Sequence, residues 1–123
     1  LLFETGKYDV SASGKQALGN LAKVLAENRD INVLIEGHTD NVPLRGVGQI
    51  KDNWDLSVMR ATSVVKILTS NAKVDPRRLT AAGRSEYVPV DNANTTQARS
   101  KNRRTEIILT PKLDELFQIL ETQ

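Results

Sequence analysis

The segment NWDLSVMRATSVVKILTSN, residues 53–71, has the strongest helical pattern in the chain, and it carries a charge on its apolar side. At 100° per residue, four apolar side chains share one arc of this helix: Leu56, Val64, Ile67 and Leu68. Arg60 falls inside the arc, and Asn53 points the same way two turns earlier. Because burial of an unpaired guanidinium is costly, Arg60 needs a partner or must line a wet pocket at the helix start.

The other patterns surround this helix with alternating strands and helices. Residues 11–30 have apolar residues at helical spacing, with Ser11 or Ser13 as the N-cap. Asp75 before Pro76 predicts a short helical turn. Four runs predict strands: LLF at 1–3, INVLIEG at 31–37, LTAAGR at 79–84 and TEIILT at 105–110. This alternation favours an α/β (α+β) fold, a two-layer sandwich with helices on a sheet.

The last segment predicts an amphipathic helix over 111–121, which begins with Pro111. Four apolar residues recur there at helical spacing: Leu113, Leu116, Phe117 and Leu120. We expect this helix to cover exposed core, with the interface of a homodimer as the alternative.

The tetrapeptide HTDN, residues 38–41, follows a buried strand and precedes the helix that carries Arg60. Sites in open α/β sheets gather at the carboxyl ends of strands, so Asp40, Asn53 and Arg60 should converge. One interpretation is a structural ion pair between Asp40 and Arg60, with Asp40 or Asn41 in an Asx-turn. The other is a clamp for a zwitterion such as a D-amino acid or diamino acid. In that clamp Asp40 takes the ammonium and Arg60 takes the carboxylate.

Metal binding and catalysis have weaker support in the sequence. His38 and Asp40 resemble half of a metal site, but the chain has one histidine and no cysteine. Ser57 with His38 and Asp40 has the residue types of a triad but no nucleophile elbow. We therefore expect no enzyme activity, no metal and no cofactor.

Nucleic-acid binding is also weakly supported. The basic run RSKNRR is offset by acidic residues elsewhere, so that the net charge is only +2, and aromatics are 4% of the chain. Trp54 is interpreted as a cap or staple residue that packs on the preceding loop, with a sugar-stacking platform as the alternative. We expect no nucleic-acid partner.

Three blocks in a fixed order resemble the OmpA-like peptidoglycan-binding domain family, and within it the C-terminal domains of flagellar stator proteins. These blocks are EGHTDNVPL, NWDLSVMRA and DPRRLTAAGRSEYVPVDNANTTQARSKNRRTEIIL. The resemblance runs from the first strand to about Leu109 and is more specific than any single motif. It implies one domain over 1–123, with a β-α-β-α-β-β core and a mixed sheet at about 1–110.

The resemblance implies non-covalent, non-catalytic binding of the peptidoglycan stem peptide through its diaminopimelate. The Asp of the family's TD block and the Arg of its LSxxRA block, which hold this ligand, are Asp40 and Arg60 here. Five further positions usually line the same pocket: Thr39, Asn41, Asn53, Leu56 and Ser57. The NRR block supplies the last polar wall of this pocket, and Arg103 is a better candidate for that position than Arg104. The alternative is an envelope protein–protein interaction module that does not bind the wall.

Two features depart from the shortest family members, and neither removes a ligand-contacting position. The loop after HTDN is longer, as in stator-type sequences, and Thr105 stands where valine is common. No apolar stretch approaches the roughly 20 residues that cross a bilayer. The opening LLFETG suggests a domain of a longer protein. We expect it to lie in the periplasm and to be attached to a membrane through an upstream segment, in a stator, a lipoprotein or a porin.

Overall fold

Helices and strands alternate along the chain, as the sequence predicts. The computed structural model describes residues 3–44, 46, 48–111 and 119–121. In that part of the chain the helices are α1, Ala12–Glu27; α2, Asn53–Thr69; and α3, Thr96–Asn102. The strands are β1, Ile31–Gly37; β2, Leu79–Gly83; and β3, Thr105–Pro111. The short helical turn predicted after Asp75 is a 3-10 turn at Pro76–Arg78.

The three described strands form one mixed sheet with β1 in the centre. β1 runs parallel to β2 and antiparallel to β3. Val33 and Ile35 of β1 are buried, while Glu36 alternates to the opposite face. α2 packs on β1 and β2, and α1 packs on α2, so that a layer of helices covers a layer of strands. The predicted fold class, an α+β two-layer sandwich with a mixed sheet, is confirmed.

The predicted β-α-β-α-β-β order is only partly observed, because its first strand is missing from the described sheet. Residues 1 and 2 lie outside the described residues, and Phe3 has no strand conformation. Phe3 is nevertheless 1% exposed and belongs to the core. The first residues of the basic run RSKNRR lie in α3, between β2 and β3.

The predicted start of the C-terminal helix is wrong. Pro111 ends β3, because its antiparallel pairing with β1 continues as far as Ile31. A proline is tolerated there since β3 is an edge strand of the described sheet. Of the predicted helix, residues 119–121 are helical, and residues 112–118 lie outside the described part of the chain.

Side-chain caps fix where the helices begin. Ser11 is the N-cap of α1, since its hydroxyl accepts from a backbone amide three residues on at 3.1 Å. Asp52 caps α2 in the same way, with a distance of 2.9 Å from its carboxylate to the amide. Because this cap sets the first turn of α2, it also sets the position of Arg60 two turns later.

The apolar stripe of α2 enters a core that it shares with α1 and the sheet. Of the predicted stripe, Leu56, Val64 and Leu68 are buried and Ile67 is partly buried. The principal core residues are Phe3, Val10, Leu18, Ala22, Leu25, Val33, Ile35, Ala61, Val64, Leu68 and Val74. None of the described helices is long and apolar enough to cross a membrane.

α2 approaches the sheet closely at two glycines. Gly37 of β1 and Gly83 of β2 are register partners across the parallel pair. A Cβ at Gly37 would overlap the backbone carbonyl of Ser57, and a Cβ at Gly83 would overlap the Ser57 hydroxyl. Only glycine leaves this space free. The close approach brings Asn53 and Arg60 over the carboxyl end of β1.

Replacement of Gly37 by alanine should therefore destabilise the fold. We expect the free energy of unfolding to fall by about 1–3 kcal/mol, the usual cost of an overpacked core. Gly19→Ala is the matched control, since Gly19 lies inside α1 and nothing lies within 4 Å of its added Cβ. That change should raise the free energy of unfolding by about 0.5–1 kcal/mol. Urea unfolding followed by circular dichroism measures both, and a Gly37→Ala midpoint equal to that of the wild type would contradict the close packing.

Candidate ligand-binding site

Arg60 is completely buried and is held by backbone carbonyls. Its Nε donates to the carbonyl of Lys7 at 2.8 Å, and its Nη2 donates to that of Glu4 at 2.9 Å. Its Nη1 donates to the carbonyl of His38 at 3.0 Å. The guanidinium also lies over the ring of Phe3, 4.9 Å from the centroid. Arg60 thus joins the N-terminal segment to the residue that follows β1.

The pKa of Arg60 is lowered to about 10, chiefly by burial, with the charge of Asp40 opposing the shift and that of Arg103 adding to it. This direction is the expected one, since removal from water disfavours the charged form of a base. At neutral pH the side chain is still a cation, because this pKa lies well above 7. The three carbonyl dipoles and the Asp40 charge offset part of the cost of burying it.

Asp40 is the second element of the site, and it is also nearly inaccessible at 4% exposure. Its Oδ1 accepts from the Val42 amide at 3.1 Å, which is the predicted Asx-turn. Its Oδ2 accepts from Arg103 Nη1 at 2.9 Å. Arg103 in turn donates from Nε to the Phe3 carbonyl at 3.2 Å. The interpretation of Asp40 and Arg60 as a structural ion pair, one of the two alternatives, is wrong, because the carboxylate of Asp40 pairs with Arg103 instead.

We call Asp40, Arg60 and Arg103 the Asp40 cluster, and two more of the predicted site residues support its loop. The Thr39 hydroxyl donates to the Asp40 carbonyl at 2.9 Å. Asn53, at the start of α2, donates from Nδ2 to the Val42 carbonyl at 3.1 Å. The loop that carries Asp40 is thereby fixed to the first turn of α2.

Leu56 and Ser57 are buried, so that neither side chain is open to a ligand. The Ser57 hydroxyl donates to the Trp54 carbonyl at 2.9 Å and accepts from the Ser85 amide at 3.1 Å. His38 Nε2 lies 2.9 Å from a carboxylate oxygen of Glu36 instead. The hydroxyl and the imidazole therefore have separate partners and do not form a triad.

Asn41 is exposed and lines a small cleft of about 70 Å³ together with Thr39. The opposite wall comes from the loop between β2 and α3, and includes Glu86 and Asp91. Asn102 holds this loop, because its Oδ1 accepts from the Val90 amide at 2.8 Å and from the Asp91 amide at 3.2 Å. Thr39 and Asn41 flank Asp40 in the chain, so that the cleft lies beside the loop that carries Asp40.

Arg104 points away from the Asp40 cluster, unlike Arg103. Its Nε donates to Glu106 at 3.0 Å and its Nη2 donates to the Val88 carbonyl at 3.0 Å. Burial and the nearby charge of Arg104 lower the pKa of His38, so its imidazole is favoured in the neutral form. Arg103 is the C-cap residue of α3, and Arg104 is the next residue, before β3 begins. The structure thus places Arg103, not Arg104, with the predicted site.

A separate group of possible metal ligands lies beside Arg104. Donor atoms of Glu36, His38 and Glu106 lie within 4.8 Å of one another, a spacing that one cation can bridge. Arg104 forms an ion pair with Glu106 at 2.9 Å, and Arg84 lies 3.8 Å from Glu36. These guanidinium groups already neutralise both carboxylates.

The sequence predictions missed two parts of the site. The N-terminal segment contributes the carbonyls of Phe3, Glu4 and Lys7, which have no side-chain signature. Gly6, with a φ of +70°, was the available signal for a turn there. Ser85 was also missed. It is buried with a φ of +53°, and its carbonyl accepts from the Thr39 amide at 2.9 Å.

Fold and site together define a class: an α+β domain with a mixed sheet and a nearly buried charge cluster where the central strand ends. The chain belongs to the OmpA family, whose model matches residues 2–103. Motility protein B of Bacillus subtilis (strain 168) is 36% identical over 112 residues, which are 91% of this chain and 42% of that protein. The predicted resemblance to this family and to its stator-type members is confirmed.

A lipoprotein and a solved structure show the same likeness. The peptidoglycan-associated lipoprotein of Buchnera aphidicola subsp. Baizongia pistaciae is 32% identical over 88% of this chain and 59% of that protein. The crystal structure of a MotB-like protein from Desulfovibrio vulgaris superposes with a TM-score of 0.77 at 31% identity. The superposed region covers 90% of this chain and 68% of the Desulfovibrio vulgaris chain. The chain spans about half the length of the two curated relatives.

The carbonyl contacts of Arg60 predict a large effect on stability. Arg60→Met should lower the free energy of unfolding by about 2–5 kcal/mol, because three buried carbonyls lose their donors. Arg60→Lys should also destabilise, since an ammonium cannot reproduce the planar fork. Arg77→Met, at an exposed ion pair with Asp75, should leave stability unchanged. Chemical denaturation measures all three, and a wild-type midpoint for Arg60→Met would contradict a structural role.

Proposed function

We propose that this domain binds cell-wall peptidoglycan non-covalently, through the diaminopimelate of the stem peptide, and so anchors the protein that contains it. The observation that carries the proposal is the Asp40–Arg103 pair. It places a carboxylate and a guanidinium 2.9 Å apart, beside the charged Arg60 and the Thr39–Asn41 cleft. Opposite charges held together at the end of a central strand fit a ligand that carries both charges on one carbon atom.

The ligand binds by an exchange of partners. Its ammonium donates to the carboxylate of Asp40, and its carboxylate accepts from the guanidinium of Arg103. Asp40 and Arg103 each exchange a protein partner for a ligand partner, so that neither buried charge is left unpaired. The exchange therefore avoids the main cost of opening a nearly buried ion pair.

Arg60 contributes to the site from its buried side. A guanidinium has five N–H donors, and Arg60 uses three of them on the carbonyls of Glu4, Lys7 and His38. The remaining donors and the positive charge favour a carboxylate at this end of the cluster. Arg103 makes the outer contact in this arrangement, while Arg60 adds charge and fixes the surrounding backbone.

The setting is the cell envelope, and the role is that of a non-catalytic anchor. The likeness to a peptidoglycan-associated lipoprotein and to motility protein B supports this setting. In this proposal the domain lies in the periplasm, and a segment outside this chain attaches the protein to a membrane. One small zwitterion offers few contacts, so each site binds modestly and several copies in one assembly raise the avidity.

Co-sedimentation with purified peptidoglycan sacculi tests the proposal. Asp40→Asn, which keeps the side-chain shape, and Arg103→Ala should each weaken binding at least about tenfold, a loss of roughly 1.4 kcal/mol. Asp75→Asn and Arg77→Ala are matched controls, because they break an exposed carboxylate–guanidinium pair of 2.8 Å that precedes β2. Both controls should bind like the wild type.

Circular dichroism and urea unfolding establish that each variant is folded at the assay temperature. Wild-type binding by folded Asp40→Asn and Arg103→Ala would exclude the Asp40 cluster as the site. A folded wild type that does not sediment with sacculi would contradict wall binding itself. That result would favour an envelope protein as the partner.

A further inference from the structure

Two aromatic rings pack against each other on the surface beside the proposed site. Trp54 is 50% exposed and Tyr87 is 66% exposed, and their ring centroids lie 5.6 Å apart at a tilt of 41°. The chain has only five aromatic residues, and aromatic rings normally stabilise a fold by burial. An exposed pair in so aromatic-poor a chain points to a ligand rather than to the core.

Both rings are attached to the elements that build the proposed site. Trp54 follows Asn53 in the first turn of α2. Tyr87 follows Glu86, which lines the same cleft as Thr39 and Asn41. Each ring thus belongs to a residue next to one that contacts the Asp40 loop or lines the cleft.

Hydrogen bonds hold the backbone beneath the rings in place. The Trp54 carbonyl accepts from the Ser57 hydroxyl, which itself accepts from the Ser85 amide at 3.1 Å. The Ser85 carbonyl accepts from the Thr39 amide at 2.9 Å. Both sides of the aromatic pair are thus connected to the loop that carries Asp40, and their position relative to the site is fixed.

The chemistry of the pair matches an aminosugar. A pyranose ring has an apolar C–H face and polar edges, and Trp and Tyr likewise combine an apolar face with one polar group. Among the described residues, neither the indole N–H of Trp54 nor the hydroxyl of Tyr87 makes a hydrogen bond to the protein. Val58, one turn after Trp54 and 42% exposed, extends the apolar surface along α2.

We propose that Trp54 and Tyr87 form a subsite that stacks on a sugar of the glycan strand, next to the bound stem peptide. This inference rests on the proposed function. Two peptide residues separate diaminopimelate from the sugar that bears the stem peptide, and an extended chain spans roughly 3.5 Å per residue. A sugar can therefore lie within about 10 Å of the diaminopimelate held by the Asp40 cluster.

Trp54 is the only tryptophan of the chain, so its fluorescence reports on this subsite directly. The probes are a diaminopimelate tripeptide and the same tripeptide linked to the N-acetylglucosamine–N-acetylmuramic acid disaccharide. The disaccharide-tripeptide should bind the wild type about fivefold more tightly and change the Trp54 emission. The free tripeptide should bind without a comparable change in emission.

Calorimetry on variants tests whether the two rings cause the preference for the disaccharide-tripeptide. Trp54→Ala and Tyr87→Ala should bind both ligands with equal affinity, because the sugar has lost its platform. Tyr87→Phe should keep most of the preference, since it keeps the ring. Val24→Ala is the control, at an exposed apolar residue of α1, and should keep all of it.

The outcomes separate this inference from the function on which it rests. Equal wild-type affinity for the two ligands, with unchanged Trp54 emission, would overturn the glycan subsite and leave stem-peptide binding intact. Retention of the full preference in both Trp54→Ala and Tyr87→Ala would also overturn it. Failure of the folded wild type to bind either ligand would overturn the proposed function and the subsite together.

Discussion

The structure depends on a guanidinium buried among backbone carbonyls. Arg60 connects the N-terminal segment, the end of β1 and α2 through three hydrogen bonds of 2.8–3.0 Å. Arg78 does the same at the start of β1, with bonds to the carbonyls of Leu25, Asn28 and Ile31. The central strand is thus held at both ends by an arginine. At the end with Arg60, the nearly buried carboxylate of Asp40 and a second guanidinium, Arg103, complete the cluster.

This arrangement requires that α2 lie directly on the sheet. The paired glycines of β1 and β2 permit that approach, and the Asp52 cap fixes where the helix begins. The result is a charge cluster whose members come from the loop after β1, a face of α2 and the C-cap of α3. Its rigidity suits the proposed binding of a small zwitterion, because preorganised charges lose little entropy on binding.

Much of this arrangement could be predicted from local patterns. The polar interruption of an apolar stripe singled out Arg60, and the position of HTDN after a strand singled out Asp40. The Asx-turn and the short turn at Pro76 also followed from residue types. The pairing of Asp40 with Arg103 could not be predicted from residue types, because Arg103 is 63 residues away and only the β1–β3 pairing brings it close. The carbonyls that hold Arg60 had no sequence signature at all, since any residue supplies one.

The most direct test of the central claim uses two tripeptides that differ by one carboxylate, with diaminopimelate or lysine at the third position. NMR titration of the wild-type domain follows the guanidinium Nε–H of Arg103 and the amides of the HTDN loop. We expect the diaminopimelate peptide to shift these signals and to bind at least about tenfold more tightly than the lysine peptide. Equal binding of the two peptides, or shifts that leave Arg103 and Asp40 unaffected, would contradict it.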